Sequence, residues 1–327
     1  MRRNGRVVAG AAGKSARKEA RSAVGPLSHH LVSPKAARSY EKSCQAFFLW
    51  THQCGFSLPD EVVEFDQLLM DYIDEAWEEG ESRSVVANLL SGLHHYVPGL
   101  RGKLNGTWRL HAAWCRKELP ERSHPMPPKM ITAFAGLALH WKLPGLAVGM
   151  LLGYHCFLRT GELCAVQFGH ILVSTDLSWG SLRLPTSKSQ QRTGVEEQVD
   201  ITDGQLLRLL NHLAASAHPG DPLIGMTTVQ FRKYFSMIRQ GLELNDLRLL
   251  PYSIRRGGAT SYFRDTGSLD KTVVRGRWAN SRTARIYINA ALQDMAAYSP
   301  SERSQALQEL SINALYHYSI NVAAVSQ

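Results

Sequence analysis

Leu158-Arg159-Thr160-Gly161-Glu162 closes an apolar run, Pro144 to Leu158, with a charged turn. The run falls short of the roughly 20 residues that a membrane span needs. It also contains His155, so it reads as a buried core helix. An arginine at the end of such a helix is costly unless it has a partner or a task. Glu162, three positions on, is one candidate partner. Further along stand Lys188, Tyr252-Ser253-Ile254-Arg255-Arg256, Gly276-Arg277-Trp278 and Tyr287. Each fragment is common taken singly; their order and residue types together fit one chemistry.

That chemistry is metal-free cleavage of a phosphodiester. It needs cations on the non-bridging oxygens, a nucleophile, and a proton for the departing oxygen. The arginine fork binds phosphate bidentately and stays charged. Arg159 and Arg255 fit that task, with Glu162 in support. Tyr252 and Arg255 lie three apart behind Pro251, so they share the face of a helix whose N-terminus itself favours an anion. Arg256 points elsewhere and is read as holding a neighbouring phosphate. Lys188, in the polar turn Thr186 to Arg192, can supply the proton. Trp278 has one indole N–H to offer a phosphate oxygen. Tyr287 is the candidate nucleophile. Its phenol, with an ordinary pKa of about 10, needs cations or a base nearby to attack at neutral pH. Tyr298, Tyr316 and Tyr318 are rivals by residue type. The plain alternatives are surface ion pairs for the arginines, a solvated loop lysine, and core packing for the aromatics.

Composition sets the frame. With 44% hydrophobic and 20% charged residues among 327, the chain reads as a globular protein of about two domains. Net charge is +9, distributed as +6 over residues 1–27, −3 over 28–124 and +6 over 125–327. The basic first segment by itself accounts for much of the excess, so total charge is weak evidence for nucleic acid; the basic final segment, which holds the arginines, is better evidence. The five cysteines lack CxxC spacing and are read as free thiols. No HExxH or zinc-finger spacing occurs, and the expectation is no metal and no cofactor. Gly10 to Ser15 approaches a P-loop, but Val8 stands where the first glycine is required and no strand precedes it, so nucleotide binding is not expected.

The pattern along the chain predicts a mainly α protein with a small antiparallel sheet, an α+β arrangement. Residues 1–27 read as a basic disordered tail, with an electrostatic arm or an organellar transit segment as functional alternatives. Residues 28–118 hold four helices. The second carries an apolar stripe from Val62 to Ala76 and, on its other face, eight acids between Asp60 and Glu79. That face would repel DNA and is assigned to solvent or a protein partner. Trp108 and Trp114 are assigned to the core of the fourth helix. Four prolines between Leu119 and Pro128 predict a linker. Beyond it come helices near 129–141 and 145–157, strands at 171–173, 181–184 and 197–201, and five more helices to 289. Residues 129–298 form the second domain. Ser299-Pro300-Ser301-Glu302 is a capping box that starts a last helix within 299–327.

The ordered set resembles the tyrosine recombinase family of phage-integrase type. Arg159 and Glu162 match its Arg-x-x-Glu/Asp motif, and Lys188 its β-turn lysine. Arg255 matches its His-x-x-Arg motif, with Tyr252 at the histidine position. Trp278 matches Gly-x-His/Trp, and Tyr287 the nucleophile nine residues on. The Arg-Arg-Gly-Gly-Ala-Thr and Gly-Arg-Trp runs look most like integrase-like genes of mobile elements. The resemblance spans about residues 34–290. It implies a helical N-terminal DNA clamp and an integrase-like catalytic domain acting on double-stranded DNA. In that scheme Tyr287 attacks the scissile phosphate to give a 3′-phosphotyrosyl bond and Lys188 protonates the 5′-oxygen. Arg159, Arg255 and Trp278 stabilise the transition state, and neither metal nor ATP is needed. Family members act as tetramers on DNA and often swap a C-terminal helix. The expectation here is a homo-tetramer on DNA and a monomer without it, in the nucleus or nucleoid or, from the basic segment, in an organelle, with no membrane or nucleotide partner. Tyr252 raises one alternative, an inactive, domesticated DNA-binding relative; the acidic helix from Asp60 to Glu79 raises another, a helical module that docks a protein partner.

Overall fold

The computed structural model describes residues 2–3, 6–7, 13–119, 121–184 and 196–325. The chain divides into two compact units, Met1–Glu121 and Arg122–Gln327.

In the first unit β1 (Arg2–Arg3) pairs antiparallel with β2 (Arg6–Val7). The helix α1 (Lys14–Ser22) follows. It corrects the expectation of a tail without regular structure. Its lysines, arginines, alanines and glutamate are strong helix formers, which compositional bias toward charge had masked. Four longer helices form the core: α2 (Pro34–Gln53), α3 (Val62–Glu78), α4 (Arg83–Tyr96) and α5 (Asn105–Lys117). Ser33 caps α2 by accepting from the Ala36 N–H, with Pro34 in the first turn. Gly55, at φ +73°, ends it in the left-handed conformation. Phe47, Leu69, Tyr72, Leu89, Leu93 and Leu104 pack together at the centre. Asp66 accepts from the N–H groups of Gly106 (2.8 Å) and Thr107 (3.0 Å), satisfying the start of α5. The acids of α3 assigned to an outer face are exposed. Trp114 is buried, but Trp108 is 39% exposed. Six residues turn a helix by about 240°, so both tryptophans cannot face one core.

The second unit is built on α6 (Pro128–His140) and α7 (Pro144–His155). A short helix α8 (Thr160–Cys164) leads into an antiparallel sheet of β3 (Ile171–Val173), β4 (Gly180–Leu184) and β5 (Glu197–Ile201), in that order. Leu182 pairs with Ile171 on one side and Val199 on the other. Alternation buries Leu182, Leu184, Val199 and Ile201 against the helices. There follow α9 (Gly204–Ala214), α10 (Thr228–Gly241), α11 (Pro251–Thr266), α12 (Leu269–Gly276), α13 (Ser281–Tyr287), α14 (Ala290–Tyr298) and α15 (Glu302–Val325).

Two details of this unit depart from the sequence reading or resolve it. The proline-rich stretch is only in part a free connection. His124 donates its N–H to the Arg248 carbonyl (3.0 Å), Met126 does so to Ser253 (3.1 Å), and the Met126 side chain is fully buried. The last helix folds back on its own unit. Leu315 and Val322 enter the core, and Ser304 donates to the Leu242 carbonyl at 2.6 Å. Gly136 on α6 makes this approach possible, because a Cβ there would lie 1.7 Å from the Ser311 carbonyl oxygen.

All five cysteines are free. Among the described residues no cluster of potential ligands suits a metal, and no helix is long and apolar enough to cross a membrane.

Candidate active site

The site begins where α7 stops. Phe157 turns the chain with φ +49°, a conformation that bulky residues rarely adopt. Its ring is buried between Tyr262 and Trp278. Its carbonyl oxygen accepts from Arg255 Nη1 at 2.5 Å and from Arg277 Nη2 at 3.4 Å. The turn therefore delivers Arg159 and an oriented carbonyl to one place.

Glu162 is the hub. Its side chain is 5% exposed, and three guanidinium groups converge on it. Arg159 Nη1 lies 2.5 Å from Oε1; Arg277 Nη2 lies 2.8 Å and Arg255 Nη1 3.8 Å from Oε2. The Arg159 backbone N–H adds a bond of 2.9 Å. Burial opposes ionisation of this carboxyl, but Arg277, the Arg159 N–H, and the charges of Arg159 and Arg255 outweigh it, so its pKa is held below the usual carboxylate range. Arg255 is wholly buried, and its other Nη donates to the Gly276 carbonyl at 2.8 Å. Burial, then Arg159 and Arg277, lower its pKa, with Glu162 opposing. Arg159 keeps 30% of its side chain exposed and is the arginine of the three most open to a ligand.

An aromatic wall completes the site. The rings of Trp278 and Tyr287 are 4.6 Å apart, and those of Tyr287 and Tyr252 are 5.3 Å apart. The Arg255 guanidinium carbon lies 5.1 Å from the centre of the Trp278 ring and 5.2 Å from that of Tyr287. The indole N–H of Trp278 is buried and donates to no acceptor among the described residues. Burial, then a hydrogen bond with Tyr287, pushes the Tyr252 pKa up, so this phenol keeps its proton. Thr260 on α11 holds the backbone of the tyrosine. Its hydroxyl lies 3.2 Å from the Tyr287 carbonyl oxygen and accepts from the Asn289 N–H at 3.3 Å.

The structure thus brings together Arg159, Glu162, Tyr252, Arg255, Trp278 and Tyr287. Lys188 lies outside the described residues. Of the rival tyrosines, Tyr298 and Tyr316 are exposed and Tyr318 packs edge-on against His212. Arg256 is corrected: it is 2% exposed, donates to the Ser123 carbonyl, and anchors the stretch before α6 instead of facing the group. Arg277 was missed. It pairs with Glu162 and, through Nε at 3.3 Å, with Glu197 at the start of β5. Its φ of +56° turns the side chain back under the site. The only sequence signal was an arginine directly after a helix-ending glycine.

A helical unit is followed by a mixed unit that carries a buried arginine–carboxylate hub and a tyrosine on an aromatic wall. No family model and no curated protein sequence matches the chain. Solved structures do. The Tn1549 transposon integrase in complex with transposon right-end DNA superposes at TM-score 0.59 and 12% identity, over 84% of this chain and 95% of that one. The lambda integrase dimer bound to a COC′ core site gives 0.55 and 15%, over 85% and 94%. The Tn1549 integrase in complex with circular-intermediate DNA gives 0.52 and 11%, over 89% and 94%. The chain has the fold of these tyrosine recombinases.

Proposed function

We propose that this protein cuts and rejoins DNA strands by transesterification, with Tyr287 as nucleophile. The phenolic oxygen attacks the scissile phosphorus, the P–O5′ bond breaks, and a 3′-phosphotyrosyl bond forms. The phenol gives its proton to water, and the departing 5′-oxygen takes one from Lys188, the residue to which the sequence assigns that task. Arg159 and Arg255 take up the charge on the non-bridging oxygens, with the Trp278 N–H as a further donor. The observation that carries this reading is the packing of the Tyr287 ring against Trp278, with centres 4.6 Å apart, and its position 5.2 Å from the guanidinium of Arg255, which shares Glu162 with Arg159. The folds of DNA-bound integrases support the substrate class. The last helix, docked on its own core, supports a monomer in the absence of DNA.

The test is a pool of nicked duplexes that lose the cleaved fragment by diffusion. A covalent protein–DNA adduct is expected, absent in Tyr287→Phe. A second reading, a DNA-binding relative without cleavage, is favoured by one observation: Tyr252 is a protonated phenol where the family has histidine. Salt-sensitive binding with no adduct from either the natural chain or Tyr252→His selects it.

A further inference from the structure

A cavity of ≈ 390 Å³ lies beside the site, between α10 and the start of α11. Its polar lining is Thr160, Arg232, Ser236, Arg239 and Tyr252, and the remaining wall is apolar. Arg232, Ser236 and Arg239 recur at helical spacing, so they share one face of α10. Thr160 follows Arg159 directly, and the ring of Tyr252 packs on Tyr287. The cavity is therefore continuous with the candidate active site through two of its own residues.

Its charge is one-sided. No acid lines it, and neither Arg232 nor Arg239 belongs to an ion pair among the described residues. The Nε–H of Arg239 is closed off from solvent and has no acceptor there. A buried donor of this kind is costly unless an acceptor comes to it. The forked donors suit a tetrahedral oxyanion, and the neighbouring hydroxyls of Thr160, Ser236 and Tyr252 add donors of the same kind.

We propose that this cavity holds the DNA phosphodiester next to the one attacked by Tyr287, with Arg232 and Arg239 as its clamp. The assignment rests on the function proposed above. A DNA strand is a row of evenly spaced anions, so holding one phosphate still for attack is easier when its neighbour is also held. Arg256, which the sequence offered for this second phosphate, is committed to Ser123. The α10 pair takes that task.

The test is anisotropy of a labelled mixed-sequence duplex with the full chain over a range of salt. Arg232→Gln/Arg239→Gln should bind about tenfold more weakly at moderate salt, and its slope of log K against log salt should flatten by about 0.9, one phosphate contact. Arg232→Gln alone, at an exposed position on α10, should shift both in the same direction. Unchanged slopes in both variants overturn the proposal. If the unmodified chain forms the Tyr287 adduct while the slopes stay put, this assignment falls and the function stands. If the unmodified chain binds no duplex at low salt, both fall. Inorganic phosphate titrated without DNA gives the remaining arm: an Arg232-dependent rise in Tm with no change of slope on DNA makes the cavity a free-anion site and overturns the DNA assignment.

Discussion

Glu162 Oε2 sits 2.8 Å from Arg277 Nη2, a buried pair that joins the turn after α7 to the residue between α12 and Trp278. The same carboxylate bonds Arg159 and approaches Arg255. Removing it would leave three guanidinium groups facing one another with little water to screen them.

Glu162→Gln should therefore destabilise the fold by about 3 kcal/mol, in the range found when one partner of a buried pair is lost. Urea unfolding at neutral pH measures it. A loss no larger than that of an exposed ion pair, below about 1 kcal/mol, would show that the arginines find other partners.

The pH dependence follows from the depressed pKa of this carboxyl. The unfolded group titrates near about 4.3 and the folded one lower, so the unfolded chain binds the proton more readily. The stability contributed by ionised Glu162 is complete above the unfolded value and fades as pH falls through the folded one. The gap in unfolding free energy between the natural chain and Glu162→Gln should stay level at neutral pH and shrink below about pH 4. A gap that widens on acidification would contradict the assignment.

Tyr252→Phe removes the hydroxyl of the ring that packs 5.3 Å from Tyr287 and, with it, one donor at the site. Single-turnover cleavage should slow about tenfold, the value of one hydrogen bond of about 1.4 kcal/mol to a charged group. Tyr252→His restores a group that exchanges protons near pH 6.5, so cleavage should speed up and acquire a pH dependence in that region. Equal rates for Tyr, Phe and His at this position would remove residue 252 from the reaction.

Gly257 and Gly258 belong to the Arg-Arg-Gly-Gly-Ala-Thr run, and the structure supplies a reason independent of chemistry. A Cβ at Gly257 would lie 2.1 Å from the Met126 carbonyl oxygen, and one at Gly258 would lie 2.0 Å from that of Tyr154. Either alanine must push α11 off its neighbours, at a cost of about 1–3 kcal/mol. Thermal melting of Gly258→Ala checks this; an unchanged Tm would mean that α11 does not need so close an approach.

Much of this architecture was readable in the chain because its signals are local. The apolar run into Arg159 and the capping boxes mark helix ends, and alternation marks β4 and β5. Arg255 and Arg256 show where local reading stops. Adjacent on one helix, they point about 100° apart, and which one reaches the site depends on what packs there. The extended stretch at Ser123 claims Arg256, and the Phe157 and Gly276 carbonyls orient Arg255. Arg277 was hidden for a related reason, since its part depends on a left-handed backbone that only the preceding Gly276 hints at. The cavity on α10 gave no motif at all, because its arginines acquire meaning only from Thr160 and Tyr252, which stand on two other helices.

Thr260 bears on Tyr287, the proposed nucleophile, through the backbone. Its buried hydroxyl lies between the Arg256 carbonyl (2.8 Å) and the Tyr287 carbonyl (3.2 Å) while accepting from Asn289. Thr260→Val keeps the shape and deletes these bonds, so the end of α13 and the start of α14 lose their tie to α11. Stability should fall by about 1 kcal/mol, the usual value of one such bond. The larger effect should be on chemistry, because the phenol must be held within a fraction of an ångström of its line of attack. Single-turnover cleavage should drop about tenfold or more, while duplex affinity, which does not pass through Thr260, stays level. Thr260→Ser should recover most of the rate. A Val variant that cleaves at the natural rate, or one whose rate loss is matched by a loss of affinity, would separate Thr260 from the placement of Tyr287.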